Sequence, residues 1–402
     1  MRLRTACNVL AVVAAALAGA ACSPGGDGSG ADASPDGAAG ECIGCGSPDG
    51  GPPTGDSGDE GVAVGDDGSS PRPDASAGSD AGGGPGALGY MVGIKTNGDP
   101  NGPAKVEAWL GRPLDIAGAT ITTTSWISTA PYVTSSGAHP LLEVSFPLLS
   151  IFGESNHLDD LAQAAAGAYD STYEAMAQAL ASWPNPLLSA RIGWELNGTW
   201  YAWSNGVGTN ATYASYVAAF KRAAQAIRKY NPHALIQWCI AWGQADPTPY
   251  WPGAYDPSTN PGGVDVVSID FYQANISQYD DHGQQSPWAM AQSDGTIDVD
   301  WTVSFAKQQG VKIALSEYGA GSPGSGGEGS GPGLDDGAWT AAAIQWMNGL
   351  PPGFFLWTDW SDDAPADDIV TAGANPDEQA AWLGAWKGTH YAGNWWKGAS
   401  PP

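Results

Sequence analysis

Basic side chains are scarce in this sequence: 15 Lys and Arg stand against 42 Asp and Glu over 402 residues, a net charge of -27 at pH 7. Phosphate binding needs clustered cations, so nucleic acid is excluded as a partner. Much of the acid lies in the N-terminal quarter, where it solvates a tail rather than building a directed field. Long apolar runs are missing too. Val9–Leu17 is too short to span a bilayer as a permanent helix. The five cysteines make no disulfide framework. Cys42 and Cys45 read as a tail disulfide or as incidental, ahead of half a zinc site, and Cys239 reads as a buried small hydrophobe. His139, His157, His233, His282 and His390 are scattered, with none at metal-ligand spacing or beside a Ser or Cys nucleophile. No metal, no cofactor and no Ser/His hydrolase is expected.

What is present divides the chain in three. Residues 1–22 read as an export signal of bacterial type: Arg2 and Arg4, an apolar stretch, then small residues up to Cys22. Cys22 resembles the lipid-modified cysteine of bacterial lipoproteins, which would anchor the protein to a membrane. Leu17 lies farther upstream than that motif prefers, so simple cleavage near Ala18-Gly19-Ala20 and secretion stay open. Residues 23–86 are Gly, Ser, Pro, Asp and Ala with almost no large apolar side chains, and are expected to be a disordered tether. Residues 87–402 carry the folded domain, expected to act as a monomer.

In that domain strand-like and helix-like runs alternate. The strand-like ones are Leu88–Lys95, Ala119–Trp126, Leu141–Phe146, Leu187–Glu195, Leu235–Trp242, Val264–Tyr272, Val311–Glu317 and Gly353–Asp359. Helices are expected at Pro103–Leu110, Leu158–Trp183, Thr212–Tyr230, Asp298–Gln309, Leu334–Asn348 and Asp377–Trp386. About eight strands interleaved with helices make an α/β fold of the (β/α)₈ TIM-barrel kind. A doubly wound open sheet is disfavoured, because no Gly-rich nucleotide turn follows the first strand.

Barrel strands gather catalytic groups at their C-terminal ends. Leu187–Trp203 runs from an apolar strand into Glu195, an Asn197-Gly198 turn, and the aromatics Trp200, Tyr201 and Trp203. Val311–Gly319 has the same grammar, ending on Glu317 and Tyr318. Two strand-end carboxylates at one cleft are what glycosidic bond hydrolysis requires, one to protonate the leaving oxygen and one to attack or to activate water. The 19 tryptophans exceed the needs of a core, and those in loops suit stacking on sugar faces. Strand alternation puts Arg191, Gly193 and Glu195 on one face, and Asp270 and Tyr272 on another. An inward Arg would keep one acid ionised while burial raises the pKa of the other.

The run Arg191-Ile192-Gly193-Trp194-Glu195-Leu196-Asn197-Gly198-Thr199-Trp200-Tyr201-Ala202-Trp203 resembles the acid/base segment of glycoside hydrolase family 26, whose best-known members are endo-β-1,4-mannanases. Ser316-Glu317-Tyr318-Gly319 is similar to the family's nucleophile segment, and Val264–Tyr272 to its sixth strand, where a Tyr bonds the nucleophile. The resemblance implies a clan A barrel and a retaining endo-glycosidase acting on a polysaccharide, with β-1,4-mannan the first expectation. It makes Glu195 the acid/base and Glu317 the nucleophile, oriented by Arg191 and Tyr272. It also implies substrate-binding or orienting roles for Trp194, Asn197, Trp200, Trp203, Trp357 and Trp360. Trp194 departs from the family, which carries His there; an indole cannot titrate. That departure leaves β-1,3-xylan and mixed-linkage β-glucan open as substrates, and also a non-catalytic carbohydrate-binding lipoprotein.

Other residues have blander readings. Glu143, if it points inward, is expected to hold a positive side chain, and Asp270 to be structural. Asp359, Asp362 and Asp363 read as a solvated acidic loop ahead of a site for hydroxyls or calcium. Trp126 and Trp242 divide evenly between packing and stacking. The Gly/Ser-rich run Ala320–Gly333 is expected to cover the cleft.

Overall fold

The computed structural model describes residues 86–95, 102–121, 140–149, 159–273, 287–293, 297–319, 337–361 and 376–391. The leader, the tether, Trp126, Asp362, Asp363 and the Ala320–Gly333 run lie outside the described residues.

Eight parallel strands close into a barrel in sequence order: β2 (Met91–Lys95), β3 (Ile116–Thr120), β4 (Leu141–Phe146), β5 (Leu187–Ile192), β6 (Leu235–Ala241), β7 (Val266–Tyr272), β8 (Lys312–Gly319) and β9 (Phe355–Ser361). The first and last are joined in register, Met91 opposite Trp357 and Lys95 opposite Ser361. This is the expected (β/α)₈ barrel. A two-residue pair lies apart from it, β1 (Ala87–Leu88) against β10 (His390–Tyr391). The second strand-like run, Ala119–Trp126, was placed too late: β3 starts at Ile116, where an apolar-small run (IAGAT) can alternate between barrel and helices.

The described helices are α1 (Gly102–Leu110), α2 (Leu161–Ala166), α3 (Asp170–Ala181), α4 (Tyr213–Tyr230), α5 (Pro287–Ser293), α6 (Val299–Gln309), α7 (Gly337–Gly349) and α8 (Pro376–Trp386). The single helix expected over Leu158–Trp183 is two. Asp160 caps α2 by accepting from Ala162 and Gln163, and Gly167 ends it at φ 96°, a conformation that costs a residue with a Cβ. Helix α4 is capped by Thr212 and buries Tyr216, Phe220, Ala223 and Ile227 on one face.

The barrel interior is layered. At the N-terminal end Met91, Ile116, Leu188, Leu235, Val266, Ala314 and Trp357 form an apolar plug. Above it the lining turns polar. Gln237 donates to Glu143 Oε1 at 2.9 Å and to Ser268 Oγ at 2.8 Å, contacts Ser316 Oγ, and accepts from Ser189 Oγ at 3.1 Å. The next layer, toward the C-terminal ends, holds Lys95, Arg191, Asp270 and Glu317. A dry plug below and charged groups above aim the chemistry at one face of the barrel.

Candidate active site

Glu317 reaches the interior through a local irregularity. The ladder pairs Ile269 with Leu315 and Asp270 with Glu317, so β8 has one extra residue, Ser316, in a bulge. Ile313 and Leu315 then stay in the main apolar core, while both Ser316 and Glu317 bond groups inside the barrel. Arg191 Nη2 and Lys95 Nζ both bond Glu317 Oε1, the latter at 2.5 Å, and Tyr272 Oη donates to Oε2 at 3.0 Å. Arg191 is itself held by Asp270 Oδ2 at 2.5 Å and by Ser145 Oγ at 2.6 Å.

Glu195 is placed differently from the sequence reading. Strand β5 ends at Ile192, so Glu195 stands three residues beyond it, at φ 49°, with Gly193 also at φ 49°. Left-handed backbone at a non-glycine residue is strain of the kind that gathers at functional sites. Two devices hold the turn. Asn197 Nδ2 donates to the carbonyls of Ala241 and Ala245, at 2.9 and 3.1 Å, and its Oδ1 accepts from Ala241 N at 2.8 Å. Trp200 Nε1 donates to Glu195 Oε2 at 2.8 Å. Asn197 is therefore an orienting residue whose amide is committed to backbone, not a hydroxyl contact.

The two acids are poised in opposite directions. Burial would raise Glu317, but the charges and hydrogen bonds of Arg191 and Lys95 outweigh it and hold the carboxyl well below the usual range. Burial, with the negative charges of Asp270 and Glu317 beside it, pushes Glu195 well above that range against the weaker pull of Trp200 and Arg191. Asp270 is raised by burial to about 7, with Arg191 drawing it down and Glu317 pushing it up. A carboxylate fixed in its ionised form beside a carboxyl that keeps its proton can run paired acid and nucleophile chemistry.

Several expected stacking residues do not reach this face. Trp357 is fully buried in the apolar plug at the opposite end of the barrel. Trp360 is buried against Trp109 and Trp382 on the helical side. Both are corrections: on β9 the residue between them that points inward is Asp359, whose carboxyl lies beside the glycines of β2 and β3. Trp203 is also buried, donating to the carbonyl of Trp194 at 2.9 Å. Trp194 is 3% exposed, donates to Tyr201 Oη at 2.9 Å, and lies with its ring centroid 5.6 Å from the Arg191 guanidinium carbon. It backs the arginine by packing and a cation–π contact. Trp242 is buried and bonds the carbonyl of Ala291. Trp200 and Tyr201 remain partly exposed beside Glu195.

Glu143 does point inward, yet it accepts from Gln237 rather than serving as the expected counter-charge. Lys95 was missed. Its signal lay in the sequence: the single charged residue of β2, at that strand's C-terminal end, as Glu317 is near the end of β8. Among the described residues no cluster of three His, Cys, Asp or Glu is arranged to hold a metal, and no helix is long and apolar enough to cross a membrane.

The molecule is thus a (β/α)₈ barrel with two interacting glutamates at the C-terminal face. No family model matches the sequence, and no curated protein matches it significantly. Among solved structures it is similar to an endo-β-1,4-mannanase double mutant from Cellulomonas fimi, at 17% identity and a TM-score of 0.51 over 76% of this chain and 75% of that one. A GH26 β-mannanase from Bacteroides ovatus follows at 12% identity and TM-score 0.47, over 76% of this chain and 91% of that one. A mannanase from Bacillus subtilis gives 15% and 0.46, over 78% and 90%. The first of these likenesses shows the shared barrel fold.

Proposed function

We propose that this protein is a retaining glycoside hydrolase that cleaves a β-linked polysaccharide internally, with β-1,4-mannan as its first substrate. The observation that carries the reading is the opposite poise of Glu195 and Glu317 across one barrel mouth. Glu317 Oε1 is occupied by two cations, while among the described residues Oε2 meets only the phenol of Tyr272, so Oε2 is the oxygen left to attack the anomeric carbon. Glu195 gives its proton to the departing glycosidic oxygen and then takes one from the water that releases the sugar. Retention needs the two carboxyl groups about 5–5.5 Å apart. Support for mannan comes from the motif resemblance and from the fold shared with the Cellulomonas fimi enzyme. Export by residues 1–22, a lipid on Cys22, a tether over 23–86 and a monomeric catalytic domain over 87–402 belong to the same proposal.

The test is reducing-end release from mannan, galactomannan, β-1,3-xylan and mixed-linkage glucan, by the protein and by Glu317→Ala. Hydrolysis of mannan that falls by about 10⁴-fold or more in the variant is expected. Release from xylan or mixed-linkage glucan alone would reassign the substrate. Binding by both proteins with turnover by neither would make this a carbohydrate-binding protein instead.

A further inference from the structure

Around Glu317 the barrel carries more charge than two-carboxylate chemistry needs. Lys95 on β2 shares Glu317 Oε1 with Arg191 on β5; Asp270 and Tyr272 face it from β7, and Glu195 from the turn after β5. Cys239 on β6 lies 3.7 Å from Arg191 Nη1. One level down sit two further acids, Glu143 on β4 and Asp359 on β9. Strand glycines make room for Asp359: a Cβ on Gly118 would lie 2.4 Å from Asp359 Oδ2 and 3.1 Å from Lys95 Cβ, and one on Gly93 would lie 3.1 Å from Asp359 Oδ1. The carboxyl of Asp359 is therefore seated beside the Lys95 stem.

Asp359 is fully buried, and neither of its oxygens receives a hydrogen bond from the described residues. An ionised carboxylate without a donor in a dry interior is costly, whereas a protonated one needs only an acceptor. Glu143 supplies it: burial and the adjoining Glu143 charge raise Asp359 well above the carboxylate range, and a protonated Asp359 donates to Glu143.

We propose that Lys95 is a positioning residue that holds Glu317 from the first barrel strand, and that Asp359 stays protonated on Glu143 so that it does not compete for the Lys95 charge. The inference rests on Glu317 being the nucleophile only for its catalytic consequence. The ion pair alone decides whether it holds, because a carboxylate gripped by two cations at one oxygen should lose part of its acidity shift when one is removed.

The experiment is a ¹³C NMR titration of side-chain carboxyls in protein labelled at Glu Cδ and Asp Cγ, with signals assigned through Glu317→Gln and Asp359→Asn. In Lys95→Met the Glu317 midpoint is expected to rise by about 1–2 pH units, and Lys95→Arg, which keeps the charge, to restore most of the shift. In the unmodified protein the Asp359 signal is expected to stay at its protonated position throughout the range in which ordinary carboxyls ionise. That arm is read in the unmodified protein, with Asp359→Asn serving only to assign the signal. Kinetics on whichever glycan is cleaved should show kcat falling about 10–100-fold in Lys95→Met with KM nearly unchanged. Identical Glu317 titrations in wild type and Lys95→Met overturn the positioning role. An Asp359 that ionises near the usual carboxylate range overturns the shared proton. Failure to cleave any glycan would defeat the functional reading while leaving both titrations readable.

Discussion

Glu195 and Glu317 are the same residue type, and only their surroundings separate them. Glu317 meets two cations and a phenol; Glu195 meets one indole N–H and the repulsion of its anionic neighbours. The proposed roles make a definite pH statement. A proton donor must be protonated, so activity should decline on the alkaline side as Glu195 ionises, while Glu317 remains ionised far into acid. An aryl glycoside with a good leaving group needs little acid assistance, and its alkaline limb should flatten for the bond-breaking step. Stability follows from the same residue. A carboxyl raised in the folded state binds its proton more tightly there than in the unfolded chain. Its stability contribution is full below the unfolded value of about 4.3 and declines as pH rises toward the folded one. Glu195→Gln removes that decline. It should stabilise the protein by about 1–3 kcal/mol at neutral pH and by almost nothing near pH 4, at the expense of kcat. Thermal melts at both pH values check this; an equal gain at both would assign the effect to packing.

At the level of strands and turns, the sequence announced the barrel and concealed its irregularities. Alternating apolar runs such as Leu141–Phe146 and Leu235–Ala241 are visible because each side chain must choose barrel or helix. Strict alternation, however, would set Glu317 on the face of Ile313 and Leu315; only the bulge at Ser316 brings it inside. A bulge is a property of two paired strands, so one strand's sequence does not reveal it. Trp357 and Trp360 misled for a related reason. Indole content signals sugar stacking and core filling equally, and here Trp357 plugs the barrel floor while Trp360 faces the helices. The turn after β5 offers the sharpest test at this scale. Gly193 sits at φ 49°, and a Cβ there would lie 2.8 Å from Leu148 Cδ1 and 3.1 Å from the Tyr216 ring. Gly193→Ala should destabilise by about 1–3 kcal/mol through strain and overlap together. Because Glu195 lies two residues on, kcat should fall with it. Denaturant melts and kinetics measure both, and a variant that folds normally with full activity would show that the turn tolerates an ordinary backbone.

For the molecule as a whole, the barrel interior concentrates groups whose protonation differs between folded and unfolded chains. Glu195 and Asp359 are raised well above the carboxylate range and Asp270 to about 7, each chiefly by burial, while Glu317 alone among these acids is lowered. The signs oppose one another in separate windows. Glu317 contributes stability above about pH 4 that is lost as pH falls through its depressed folded value. The raised acids keep protons that the unfolded chain has released from about pH 4 upward, so each costs stability as pH climbs toward its folded value, about 7 for Asp270. The balance places the optimum near the acid end, and between about pH 5 and 7 stability should fall by at least one proton's worth, about 1.4 kcal/mol per pH unit. Repulsion within a chain of net charge -27 works in the same direction, but added salt screens it. Melting temperatures measured from about pH 5 to 8 in high salt should therefore still decline, and Glu195→Gln should flatten that decline where a surface substitution such as Glu174→Gln does not. Glu174 is partly exposed and paired with Lys229, outside the barrel. A slope abolished by salt in the unmodified protein would place the protons on the surface and leave the buried acids ordinary.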